Sequence, residues 1–157
     1  MAIEKARNYL KAYGLDNEIM EFESSSATVA LAALAIGCLE DEIAKTLSFS
    51  VGGKAILIVA SGNSRIDNAK FKAEFNEKAK MLSFDEVEEK VGHAVGGVCP
   101  FGVNEGVSIY LDKSIKAHET IYPACGSSNS AIKLTPQRLS EIITFEKWVD
   151  VCKFSPQ

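Results

Sequence analysis

Residues 46–60 read Thr46-Leu47-Ser48-Phe49-Ser50-Val51-Gly52-Gly53-Lys54-Ala55-Ile56-Leu57-Ile58-Val59-Ala60, and this stretch decides the fold. Two strand-like runs flank a Gly-Gly pair, and glycine takes the positive φ angles of a two-residue hairpin turn at no steric cost. An antiparallel hairpin with strands over 46–51 and 55–60 follows. Working toward the N-terminus, Glu40-Asp41-Glu42 places three carboxylates in the first turn of a short helix, where the dipole favours them, with Lys45 at its junction to the first strand. Thr28 is placed to cap an almost wholly apolar helix over 29–36 ended by Gly37, and such a helix must be buried. A short strand over 19–22 and a helix over 3–13, terminated at Gly14, precede it.

Toward the C-terminus a polar link over 61–64 leads to a helix over 67–76, with Ile66, Phe71 and Phe75 facing inward. Residues 80–82 are a short strand candidate, and Ser83-x-x-Glu86 is a capping box that opens a helix running to Val91. Strands follow over 107–111, over 121–125, where Pro123 suggests an edge, and over 130–134. Thr135-Pro136 then starts a last helix over 137–143. Helices interspersed with strands, some joined as hairpins, predict a single α/β domain over 1–157 whose sheet is not purely parallel.

Composition narrows the classes. The chain has 157 residues, 46% hydrophobic and 24% charged, about the size of one ordinary domain. No apolar run reaches the ~18 residues of a membrane span, and the charged start has no secretory apolar core, so the expectation is a cytoplasmic protein with no membrane contact. Cys38, Cys99, Cys125 and Cys152 show no C-x-x-C pairing, and His93 and His118 add no ligand spacing, which points to free thiols, no metal and no cofactor. A net charge of −4 argues against a surface that coats nucleic acid everywhere, and the lysines of 70–80 read first as a solvated helix face.

Gly92-His93-Ala94-Val95-Gly96-Gly97-Val98-Cys99-Pro100-Phe101-Gly102 carries too much glycine and proline for helix or strand, so it is an ordered loop of particular shape. It is either a structural crossover or a ligand loop. Walker, G-x-G-x-x-G, G-x-S-x-G and H-E-x-x-H fingerprints are all missing. What remains is Lys45, this loop, and the polar turn Gly126-Ser127-Ser128-Asn129. If they meet at one end of the sheet they enclose a small pocket with backbone donors and one fixed cation.

Three blocks carry a resemblance. Glu42-Ile43-Ala44-Lys45-Thr46-Leu47-Ser48-Phe49, then Gly96-Gly97-Val98-Cys99-Pro100-Phe101-Gly102, then Gly126-Ser127-Ser128-Asn129-Ser130 with Leu134-Thr135-Pro136, resemble in order the blocks of the YbaK/ProX family. These are free-standing relatives of the editing domain inserted in bacterial prolyl-tRNA synthetases, and the likeness runs from about Thr28 to Leu139. It implies a mixed, strongly curved, barrel-like sheet flanked by helices and hydrolysis of the ester between a wrong amino acid and tRNA. Lys45 falls on the family's lysine and Gly96 to Pro100 on its G-x-x-x-P loop, positions that hold the aminoacyl ester and terminal adenosine, with the attacking water assisted by the tRNA's own ribose hydroxyl. The resemblance thus implies Lys45 as the catalytic group. It implies substrate contacts at Thr28, Thr46, His93, Gly96, Gly97, Val98, Pro100 and Phe101, and at Gly126, Ser127, Ser128 and Asn129. The partner implied is the acceptor end of a mischarged tRNA, most readily tRNA(Pro) bearing Ala or Cys, with prolyl-tRNA synthetase as a further partner. The third block, Ser-Ser-Asn-Ser, departs from members directed at Cys-tRNA, which tend to carry a basic residue, a glycine and a nearby aspartate.

Set beside these readings are the plainer ones. A lone lysine is usually a solvated charge. Cys99 lacks an assured basic partner and reads as a small buried filler rather than a nucleophile. His93 could touch substrate, bond a backbone carbonyl or face solvent, and Trp148 reads as a core anchor for the last helix. A non-catalytic module that holds an aminoacyl or nucleotide group, or docks on a synthetase, is the alternative function.

Overall fold

The computed structural model describes residues 2–154. In chain order these form α1 (Ala2–Lys11), β1 (Met20–Glu21), α2 (Val29–Ile36), β2 (Ile43–Val51), β3 (Lys54–Ser61), β4 (Ser64–Ile66), α3 (Asn68–Phe75), α4 (Phe84–Val91), β5 (Ser108–Asp112), β6 (Tyr122–Pro123), β7 (Ser130–Ala131), α5 (Pro136–Ile142), β8 (Trp148–Val149) and β9 (Cys152–Phe154). The hairpin forms as expected: β2 and β3 pair antiparallel from Ala44↔Ser61 to Val51↔Lys54, across Gly52 (φ 59°) and Gly53 (φ 77°).

Around the hairpin the sheet runs β6-β2-β3-β5-β8, with the other three pairings parallel. Among the described residues no ladder joins β6 to β8, so the sheet is open, and Pro123, which has no N–H to give, sits on its edge strand. Ribbons β1–β7 and β4–β9 flank it. Central β3 alternates between two cores. Ala55, Leu57 and Val59 face a larger core with Ala6 and Leu10 of α1, Val87 and Val91 of α4, and Leu139 and Ile142 of α5. Ile56, Ile58 and Ala60 face a smaller one with Phe49, Phe71, Val149 and Val151. Helix starts follow local chemistry: Thr28, Asp67, Ser83 and Thr135 each accept a first-turn N–H, and Ser83 with Glu86 forms the expected reciprocal box.

Four expectations are corrected. Glu40–Glu42 makes only a 3-10 turn, because Ile43 and Ala44 are taken by pairing with β6; Lys45 is therefore the third residue of a strand, not a junction. Helix α2 is half covered rather than buried: Ala32 and Ala33 pack on Ile43 and Tyr122, while Leu34 is 81% exposed. Residues 80–82 form a single bridge, Phe49↔Met81, not a strand. Trp148 anchors strand β8, where it meets Phe145 edge-on at 5.9 Å under the Lys116 ammonium. No helix among the described residues is long and apolar enough to cross a membrane.

Candidate functional site

A gap in the pairing of β2 creates the site. On its outer side β2 is held by β6 at Ile43 and Ala44, then by residues 80–82, where Leu82 N–H donates to Ser48 O and Ser50 N–H to Lys80 O. Between these, residues 45–47 have no strand neighbour on that side among the described residues. Backbone groups alternate sides along a strand, so the Thr46 N–H and C=O point out of the sheet edge, as do those of Ser48 and Ser50. Over this edge lies a cleft of about 230 Å³. Its walls are Thr28 and Val29 at the start of α2, Ser130 and Ala131 of β7, Gly96 and Val98 of the glycine loop, and Leu82 and Val87.

Two polar groups mark the cleft. Thr46 Oγ1 is buried there and has no hydrogen-bond partner. Buried hydroxyls are nearly always partnered, and this one is available to hydrogen-bond a group that enters the cleft. Lys45 donates from Nζ to Gly62 O at 3.3 Å and to Ser64 O. Burial holds its ammonium below the ordinary lysine value. Those two carbonyls belong to a rigid turn: Ser64 Oγ donates to Ser61 O (2.7 Å), and Ser61 N–H donates to Ser114 Oγ (3.1 Å). A Cβ on Gly62 would lie 2.0 Å from Glu40 O, so the turn is pressed backbone against backbone. The result is one fixed positive charge beside an open strand edge.

The glycine loop divides its residues. Gly96 (φ 96°) and Val98 face the cleft. Gly97 does not: its N–H donates to Ala94 O (3.0 Å), and a Cβ there would meet Ser127 N at 2.7 Å. It is glycine because two loops cross on it. His93 is fully buried, and its Nε2–H donates to Phe101 O (2.8 Å), the carbonyl partner that was one of its three readings. Burial lowers the His93 pKa, leaving the ring neutral at pH 7. Cys99, Pro100 and Phe101 are buried as well, Phe101 with its ring 6.1 Å from Tyr9.

The polar turn is likewise a fastener. Ser127 Oγ donates to Asn129 Oδ1 (2.9 Å) and shares a hydrogen bond with Ser130 Oγ (2.7 Å), Asn129 Nδ2 donates to Phe22 O (2.9 Å), and Ser128 O accepts from Ser26 N–H (2.6 Å). It thereby holds 26–28 at the cleft, while Gly126, Ser127, Ser128 and Asn129 stay out of the wall. So the structure gathers Lys45, Thr28, Thr46, Gly96 and Val98 around one cleft. It leaves His93, Gly97, Pro100, Phe101 and the 126–129 turn outside the lining. Met81, Phe84 and Ser130 line it and were not singled out by sequence; an apolar residue after a capping box looks like core until its surroundings are known.

Among the described residues no three His, Cys, Asp or Glu side chains gather, and the four cysteines are free thiols. Burial pushes Cys99 and Cys152 up to about 12 and raises Cys38 and Cys125 as well. Thiols so high do not attack at neutral pH. A second hollow, with Lys116, His118 and Trp148 in its wall, shares no residue with the cleft.

Residues 23–142 match the model of the aminoacyl-tRNA editing domain, and the chain belongs to that family. It is 49% identical over 154 residues to "Uncharacterized protein YwhH" of Bacillus subtilis (strain 168), covering 98% of both chains. It is 32% identical over 123 residues to the proline--tRNA ligase of Shouchella clausii (strain KSM-K16), which is 76% of this chain but 21% of that enzyme. Among solved structures, one described as "a putative trans-editing enzyme for prolyl tRNA synthetase" superposes with a TM-score of 0.86 at 26% identity, covering 97% of each chain. The family and the mixed α/β fold expected from the three blocks are both borne out.

Proposed function

We propose that the chain hydrolyses the ester of a mischarged tRNA in trans, and that its substrate is tRNA(Pro) carrying a small wrong amino acid such as Ala or Cys. The observation that carries this is that Lys45 and the open Thr46 edge line one cleft, with the Lys45 ammonium held beside it by Gly62 O and Ser64 O. At about 230 Å³ the cleft is smaller than the ~300–1,000 Å³ of sites for drug-sized ligands and suits a small acyl group. Its walls at Val29, Val87, Val98 and Ala131 are apolar and suit a small uncharged side chain.

Water attacks the acyl carbonyl, the bond to the ribose oxygen breaks, and the departing hydroxyl takes up the proton, releasing free amino acid and intact tRNA. The Thr46 N–H and the Lys45 charge offset the negative charge that develops on the oxygens, work for which no protein nucleophile and no metal is needed. The water is oriented by the substrate's neighbouring ribose hydroxyl. The similarity to the proline--tRNA ligase and the trans-editing structure supports tRNA(Pro) as the carrier and prolyl-tRNA synthetase as the partner that releases it. Deacylation assayed on a panel of mischarged tRNAs tests the reading: turnover of Ala- or Cys-tRNA(Pro) with cognate Pro-tRNA(Pro) spared is expected. Binding without turnover would make the domain a carrier module instead.

A further inference from the structure

The mouth of the cleft is bare and apolar on one side. Phe84 is 75% exposed, Met81 59% and Val95 50%, and all three line the opening. Scattered exposed apolar residues need no explanation, but three from two segments, 81–84 and the glycine loop, converging on one opening form a patch. Their backbones are held. Phe84 is the first residue of α4, set by the Ser83–Glu86 box, Met81 is pinned by its bridge to Phe49, and Val95 lies within the Ala94–Gly97 turn. Among the described residues no other element covers this patch.

We propose that Phe84, flanked by Met81 and Val95, is a stacking platform for the unpaired terminal base of the tRNA. This rests on the reading that the cleft takes the acyl group. The acyl group is esterified to the terminal ribose, so once it lies over the Thr46 edge only the sugar ring separates it from the base, and the base must lie at the mouth. A phenyl face and two flanking aliphatic side chains suit a flat π-surface and need no base-specific hydrogen bond, which is how unpaired nucleic-acid ends are usually held. Exposed Lys78 and Lys80 lead into Met81, whereas the exposed Asp85, Glu88 and Glu89 follow Phe84 along α4. The backbone phosphates therefore leave over the lysine side. Loss of one aromatic stack weakens binding by roughly 5- to 150-fold.

The test uses tRNA(Pro) whose terminal adenine is replaced by 2-aminopurine, with the full chain and its Phe84→Ala and Phe84→Trp variants. Quenching of the base on binding is expected for the wild type and Phe84→Trp and is expected to be lost in Phe84→Ala. In single-turnover deacylation of the ordinary mischarged tRNA, the enzyme concentration at half-saturation should rise at least fivefold in Phe84→Ala, while the plateau rate stays within about twofold. Quench and half-saturation unchanged in Phe84→Ala, at an unchanged melting midpoint, would overturn the platform. So would a variant whose only change is a loss of self-association, since the patch would then belong to a second copy of the chain. The quench does not depend on turnover. An absent wild-type rate with the quench intact would count against the hydrolase and for the platform, so the two readings fail separately.

Discussion

Replacing Gly62 by alanine separates the placing of the Lys45 charge from the stability of the fold. The new Cβ would stand 2.0 Å from Glu40 O and 2.7 Å from Val29 Cγ1, and since such contacts stay beyond 3.0 Å, the β3–β4 turn must shift by about an ångström. Overpacking of this kind costs ~1–3 kcal/mol, which a domain with ~5–15 kcal/mol of stability absorbs, with a midpoint lower by roughly 2–12 °C. The Gly62 carbonyl is also one of the two acceptors that fix the Lys45 ammonium. Misplacing a catalytic group by an ångström can cost ~10²-fold in rate, so a single-turnover deacylation at least about tenfold slower is expected well below the midpoint. Midpoint and rate are measured on one preparation, together with Lys45→Ala and the double variant. Once the ammonium is gone the turn has nothing left to position, so the double variant should be no slower than Lys45→Ala. Wild-type turnover by folded Gly62→Ala, or a double variant slowed by the product of the two single effects, would refute the reasoning.

The remaining predictions concern pH, thiols and the loop crossing. Burial lowers the Lys45 pKa, so the rate, corrected for spontaneous ester hydrolysis, should fall as pH rises through a value below that of an ordinary lysine; a flat profile to pH 10 would contradict it. By linkage the unfolded chain binds the Lys45 proton more tightly, so burying the charge opposes folding below the folded pKa and the penalty is relieved above it; Lys45→Met should therefore hold or raise the midpoint at pH 7. With Cys99 at about 12 and fully buried, iodoacetamide at neutral pH should leave it unmodified by mass spectrometry, and activity should survive both this treatment and EDTA. Loss on chelation restored by zinc would overturn the metal-free reading. Gly97→Ala should cost more stability than Gly96→Ala, because its Cβ meets the Gly126–Ser127 backbone at 2.7–2.8 Å whereas that of Gly96 finds only side chains at 3.4 Å or more; the reverse order of midpoints would contradict the crossing.

What was legible in the sequence was local. Gly52-Gly53 between two strand-like runs and the caps at Thr28, Ser83 and Thr135 act within a few residues, and all formed where expected. Strands β4, β8 and β9 are three residues or fewer and exist because Ser64–Ile66 finds Cys152–Phe154 and Trp148 finds Leu111 across the fold, for which no local pattern exists. Lys45 was picked out by its block, yet its place within a strand depends on β6, some eighty residues away. Glycine density marked 92–102 as an ordered loop, but not which side chains it turns inward. That is set by packing on α1, where a Cβ on Gly102 would meet Lys5 O at 2.6 Å, so His93, Cys99 and Phe101 were sent to the core and Val95, Gly96 and Val98 to the cleft. The rim escaped notice for the opposite reason, since Phe84 at the head of an amphipathic helix reads as core.

The claim that a fixed ammonium beside an open strand edge drives hydrolysis is tested most directly by single-turnover deacylation of Ala-tRNA(Pro), wild type against Lys45→Ala. A fall of the order of 10²-fold at an unlowered melting midpoint is the predicted result; equal rates for the two proteins would contradict it.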